Sequence, residues 1–134
     1  FGPVEPDDDA MGQLAETAIF SQWFHSDTLR NIHYARWKKG RRYLEVDLAH
    51  VDPATMQPTW AYEVKWSDRH FSNPDQLEGL IEMAQKNNLN NRRVGATTKT
   101  RQGNQEVNGI QISMFPCALH CYQIGRNVTE GLPA

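Results

Sequence analysis

Asp47, Glu63, Lys65 and, further upstream, Glu16 are the residues of this chain whose types and spacing suit metal-assisted hydrolysis. Glu63 and Lys65 are separated by one residue, so in a strand their side chains share a face. Asp47 sits in an alternating stretch, Tyr43-Leu44-Glu45-Val46-Asp47-Leu48, that reads as the preceding strand. Carboxylates on adjacent strands repel unless a cation lies between them. Mg²⁺ or Mn²⁺ would suit that place. Such an ion takes one or two carboxylates, a main-chain carbonyl such as that of Val64, waters and a substrate phosphate. A lysine beside it can steady an attacking hydroxide or the scissile phosphate. The same spacing also fits two surface hairpins joined by ordinary Glu–Lys cross-strand pairs.

Two alternating segments must position these groups. Leu44, Val46 and Leu48 are expected on one face of the first, with Glu45 and Asp47 on the other. In the second, Trp60 to Ser67, the apolar row is Tyr62, Val64 and Trp66 and the polar row Glu63, Lys65 and Ser67. A proline-bounded loop, Asp52 to Pro58, joins them as a hairpin, which places Asp47 and Glu63 on neighbouring strands. Upstream, Asn31 to Lys38 reads as a strand, and the turn after it carries Lys38, Lys39, Arg41 and Arg42. Four cations at a turn suit a solvated tip or phosphate contact at the mouth of the acidic site.

Met11 to His25 reads as a helix, with Leu14, Ala18, Ile19 and Phe24 near one stripe and Glu16 at its edge. A solvated first-turn glutamate favoured by the helix dipole accounts for Glu16 on sequence alone. Asn73-Pro74 opens a second helix, with Leu77, Leu80, Ile81, Met83 and Ala84 apolar. Arg93 to Thr98 reads as a buried strand, Lys99 to Asn108 as a polar loop, Gly109 to Phe115 as a strand, and Pro116 to Ile124 as a last helix. The order α, three antiparallel β, α, β, β, α predicts an α/β fold with a small central mixed sheet flanked by helices. The chain divides into a linker or boundary over 1–10, one domain over 11–126 and a tail over 127–134.

At 134 residues, with 39% hydrophobic and 22% charged residues, the composition is that of one soluble globular domain. The formal net charge of −2 argues against a generally sticky nucleic-acid binder, so any such contact needs a local basic patch. No apolar run of membrane-spanning length and no signal-peptide pattern occur, so no membrane partner is expected. Cys117 and Cys121, one helical turn apart, suit core packing rather than a disulfide, and a reducing cytoplasmic setting follows as the simplest expectation. With His120 they would make three zinc ligands, but the second pair of such a site is missing. The five histidines form no Ser/His/Asp ordering, and neither GxxxxGK[ST] nor GxGxxG occurs.

The chain resembles the PD-(D/E)XK nuclease superfamily. More narrowly, it is similar to a nuclease-like domain of uncharacterised function found at the C-terminus of bacterial and archaeal P-loop ATPases. The resemblance rests on Gly12-Gln13-Leu14-Ala15-Glu16-Thr17-Ala18-Ile19-Phe20, Tyr34-Ala35-Arg36-Trp37, Glu45-Val46-Asp47-Leu48, Glu63-Val64-Lys65-Trp66-Ser67, Val94 to Thr98 and Ile112 to Pro116, spanning about Gly12 to Ile124. It implies a restriction-endonuclease-like core and Mg²⁺-dependent hydrolysis of DNA. Asp47 and Glu63 would be metal ligands, Lys65 the catalytic lysine, and Glu16 would complete the metal site. It also implies an ATPase upstream in the full-length protein. A non-catalytic nucleic-acid- or protein-binding module of such an ATPase, or a structural domain with a solvated acidic face, uses the same residues differently.

Overall fold

The computed structural model describes residues 9–23 and 30–131. The expected linker lies outside the described residues except for Asp9 and Ala10, which already belong to the first helix; Phe24 and His25, expected in that helix, and residues 132–134 of the expected tail also lie outside them. The elements are α1 (Asp9–Trp23), β1 (Ile32–Lys39), β2 (Arg42–Val51), β3 (Pro58–Glu63), α2 (Arg69–Ser72), a 3₁₀ turn (Pro74–Gln76), α3 (Glu78–Lys86), β4 (Asn91–Thr98), β5 (Gly103–Val107), β6 (Ile110–Pro116) and α4 (Cys117–Thr129). Six strands form one mixed sheet in the order β1-β2-β3-β4-β6-β5. β2 runs antiparallel to both β1 and β3. β4 is parallel to both β3 and β6, and β5 closes the far edge antiparallel to β6. The expected α/β class with a mixed sheet flanked by helices is what the chain adopts.

Each sheet face has its own core. On one, Leu80, Ile81, Met83 and Ala84 of α3 pack on Val46, Ala61, Val94, Ala96, Ile112 and Met114. On the other, Ala15, Ile19 and Trp23 of α1 join Cys117 and Ile124 of α4 over Ile32, Leu48 and Val64. The buried stripe of α1 is thus 15, 19 and 23, at i, i+4 and i+8. Leu14 and Ala18, expected on that stripe, are exposed, because the helix turns its Ala/Ile/Trp row to the sheet. α3 comes so close to β2 that a Cβ at Gly79 would overlap the Glu45 carbonyl oxygen, which only glycine avoids.

Three further expectations change. Leu44, Val46 and Leu48 do not share a face: Val46 and Ala49 enter the α3-side core, whereas Leu48 enters the other. The cause is a β-bulge. His33 pairs with Ala49 and Ala35 with Val46, so two steps along β1 match three along β2. The second hairpin strand stops at Glu63 rather than Ser67. Within the polar stretch 99–108, Gly103–Val107 forms β5, hinged to β6 by Asn108 (φ 51°) and Gly109 (φ 79°). Asn73 makes no side-chain cap, and α3 begins five residues later at Glu78.

Candidate active site

The bulge falls where Asp47 leaves β2, which re-aims its carboxylate toward the end of β3. There Asp47 Oδ2 accepts a hydrogen bond from the Val64 N–H at 2.7 Å. This side-chain bond stands where a ladder bond would otherwise continue, and β3 ends one residue earlier. The next residue is held from the opposite strand. The Lys65 N–H donates to Thr97 Oγ1 (2.8 Å), and the same hydroxyl donates to the Lys65 carbonyl (2.9 Å). Thr97, almost wholly buried in β4, therefore clamps the main chain of Lys65 in both directions.

Glu63 points to the α3 side and is only 6% exposed. Its Oε1 meets Lys65 Nζ at 3.0 Å, while Oε2 is buried with no hydrogen-bond partner. Burial, joined by the Asp47 charge, pushes Glu63 up to about 7, against the pull of Lys65 and the Asp47 backbone N–H. Burial also raises Asp47, although the Val64 N–H and Lys65 oppose it. Burial would lower Lys65, but the Glu63 carboxylate and the charges of Asp47 and Glu16 lift it above the usual lysine range. Glu16 is raised by burial and by Asp47, with Lys65 opposing. Residues from three separate stretches of the chain thus feel one another, and the three carboxylates share a single lysine.

Asp47 and Glu16 line one cleft of about 360 Å³ with Thr17, Phe20, Tyr34 and Val64. The Tyr34 hydroxyl donates to Glu45 Oε2 at 2.5 Å, and that bond, with desolvation second, raises the tyrosine's own pKa. Behind the site Asp68 gathers the turn after β4: Oδ1 accepts the N–H groups of Lys99, Thr100 and Arg101, and Oδ2 the Thr100 hydroxyl. Desolvation works against it, yet these donors hold Asp68 down to about 2. The sequence places Tyr34 and Thr97 in strands and Asp68 in a loop but assigns none of them a role in the site. A signal existed for Thr97, since a hydroxyl in the apolar run Val94-Gly95-Ala96-Thr97 must find a buried partner.

The structure brings Asp47, Glu63, Lys65 and Glu16 together. Two of the four turn cations it sets against α3 instead. Lys39 Nζ lies 2.5 Å from Glu82 and Arg42 2.5 Å from Glu78, both on α3. From Arg42 to Asp47 is five residues of strand, roughly 17 Å, so the hairpin tip stands away from the cleft mouth.

A hard divalent ion fits part of this set. The unpartnered Glu63 Oε2 is an acceptor-only atom in an acidic, dry position, which a cation would satisfy. Among the described residues, no three Asp, Glu, His or Cys side chains stand close enough to hold one ion in the present arrangement. Val64 contributes its N–H to Asp47, and its side chain is core. Comparison with protein-family models, curated proteins and solved structures found no match to this chain. Among the described residues no helix is long and apolar enough to cross a membrane.

Proposed function

We propose that this domain hydrolyses phosphodiester bonds of nucleic acid with help from Mg²⁺ or Mn²⁺. The observation that carries the reading is the buried, half-satisfied Glu63 carboxylate, one oxygen on Lys65 and the other on nothing, beside Asp47. A purely structural pair would be expected to satisfy both oxygens, because an unmet buried acceptor costs about 1–3 kcal/mol. Asp47 and Glu63 would hold the ion, with Glu16 facing it across the cleft. Such an ion would polarise a phosphoryl oxygen and acidify a bound water.

The chain's own groups set the rest. The Val64 N–H fixes one Asp47 oxygen and leaves the other to bind. Lys65 Nζ, with its side chain 45% exposed, can turn its remaining donors to phosphate oxygens while Glu63 anchors it. Thr97 keeps the Lys65 main chain from shifting. The likeness to PD-(D/E)XK nucleases supports the same roles, and an ATPase upstream in the full-length protein belongs to the same proposal.

A second reading has its own support. The Glu63–Lys65 pair is closed at 3.0 Å, and no three-residue metal group stands ready, as a non-catalytic binding module of an ATPase would allow. Cleavage of plasmid and linear DNA with Mg²⁺ or Mn²⁺ separates the two. Under the hydrolase reading Lys65→Ala retains the fold and loses about 10²–10⁴-fold in cleavage. Wild-type protein that cuts nothing, or cuts no better than the variant, would sink the hydrolase and leave the binding module.

A further inference from the structure

β1 is a sheet edge, and its residues alternate between two environments. Ala35 and Trp37 pack toward α3, and Lys39 reaches Glu82 on that helix. The residues between them, Tyr34, Arg36 and Lys38, face the other way, where α1 does not cover them. Lys38 pairs directly with Tyr43 of β2, so the two share a face, and the Arg36 guanidinium lies 4.3 Å from the centre of the Tyr43 ring. Tyr34 and Tyr43 are 56% and 55% exposed. Charges on an edge strand discourage pairing with another chain, but exposed aromatic rings among them do not serve that end. Tyr34, and Tyr43 on the ring face opposite Arg36, offer stacking beside two cations that offer phosphate contact.

Tyr34 belongs to both surfaces: it ends this row and lines the acidic cleft. From Tyr34 to Lys38 the row runs four residues, roughly 13 Å. We propose that this open face of the β1–β2 hairpin binds single-stranded nucleic acid, bases against the tyrosines and phosphates on Arg36 and Lys38, and leads the strand into the cleft. The choice of polyanion rests on the hydrolase reading above. Single strands are favoured over duplex because only unpaired bases expose faces for the rings. Lys39 and Arg42, nearest in sequence, are excluded because α3 carboxylates already hold them. Among the described residues of the hairpin, Glu45 is the carboxylate on this face, and the Tyr34 hydroxyl engages one of its oxygens.

The test uses the whole chain and fluorescently labelled oligo-dT, with a duplex of equal length beside it, in EDTA so that no cleavage is needed. Two double variants remove the same charge from opposite faces: Arg36→Gln with Lys38→Gln, and Lys39→Gln with Arg42→Gln. The first pair is expected to weaken oligo-dT binding about tenfold or more and to flatten the log–log salt slope by roughly 1.4, at about 0.7 per phosphate contact. The second pair is expected to change affinity less than about threefold. Tyr43→Leu is expected to cost about tenfold on oligo-dT with no change in slope or in duplex binding. Equal losses from both pairs, duplex bound as tightly as single strand, or no binding by wild type would each overturn the proposal. Melting curves confirm that each variant is folded. Tight binding through this face without any cleavage would sink the hydrolase and keep this inference. Cleavage with affinity indifferent to Arg36, Lys38 and Tyr43 would do the reverse.

Discussion

The β1–β2 hairpin has two faces built from the same two strands, and they are used in opposite ways. Toward α3, the long polar side chains at the hairpin tip are engaged. Trp37 Nε1 donates to Glu82, Lys39 pairs with Glu82 and Glu78, and Arg42 pairs with Glu78. Lys39, then Lys86 and Trp37, hold Glu82 down to about 2. Toward α1 the side chains are exposed or half-engaged, and Glu16 and Asp47 in the adjoining cleft are pushed up rather than down. Where pairing lowers an acid, charge is being used for structure. Where burial and a like charge raise it, the arrangement costs stability and points to another use. The difference also says how each face should fail: one through folding, the other through function.

The largest expected stability effect lies on the closed face. Leu80, 1% exposed in the α3-side core, should cost about 2–5 kcal/mol when changed to Ala, read as a fall in the denaturant midpoint. The folded remainder should keep its cleavage and its oligo-dT affinity. If activity fell in proportion while stability held, the division between the faces would be broken.

A pH experiment comes next in size and uses a second contrast. Beside Tyr62, on the α4 side, an aromatic groove of about 480 Å³ holds His120 against Phe115 and Tyr62. Burial pushes His120 down to about 4. An unfolded histidine titrates near 6.5, so the unfolded state takes up the proton first as pH falls. His120 therefore subtracts stability progressively between about pH 6.5 and 4 and nothing above, by a total of roughly 3 kcal/mol. Glu63, raised to about 7, works with the opposite sign: the unfolded state releases its proton first, so stability falls as pH rises from about 4.5 to 7. His120→Phe isolates the first effect. The stability of the variant minus that of wild type should grow as pH is lowered from 7 to 4. A flat difference would mean that the histidine is hydrated in the folded protein.

The smallest effect should come from Thr97→Val. The Lys65 N–H loses its acceptor, at a cost of about 1–3 kcal/mol, and cleavage should fall because the lysine is no longer held from behind. Thr97→Ser, which retains the hydroxyl, should restore most of the activity. Loss of stability with unchanged cleavage would show that Thr97 supports the sheet alone.

Much of this arrangement was legible because alternation and turn chemistry report local structure well. Tyr62, Val64 and Glu63 fall on the faces their spacing predicts, and the Asp52–Pro58 loop does join neighbouring strands. What spacing cannot carry is an added residue. The bulge between Val46 and Ala49 leaves the composition of β2 unchanged, yet it moves Leu48 to the other core and turns Asp47 toward Val64. β5 was hidden for a different reason. An exposed edge strand of Gly-Asn-Gln-Glu-Val has no apolar row, and its one clear signal was the Asn108-Gly109 turn. The pairing of Lys39 and Arg42 with α3 depends on contacts 36 or more residues away, beyond any local pattern.

β3 is the seam of the sheet, antiparallel to β2 on one side and parallel to β4 on the other. Its position gives the order in which the site can assemble during folding. The Asp47–Val64 bond closes a span of 17 residues within a meander, whereas the Thr97–Lys65 clamp closes one of 32 and needs α3 to cross over first. Near-doubling the span adds about 0.6 kcal/mol of closure entropy, so the carboxylates are the cheaper contact to make. A chain with its meander formed and β4 not yet docked would hold Asp47 and Glu63 side by side with the lysine backbone loose. The Val64 N–H on Asp47 and the Asp47 N–H on Glu63, arriving with the meander itself, are donors present early enough to offset that repulsion.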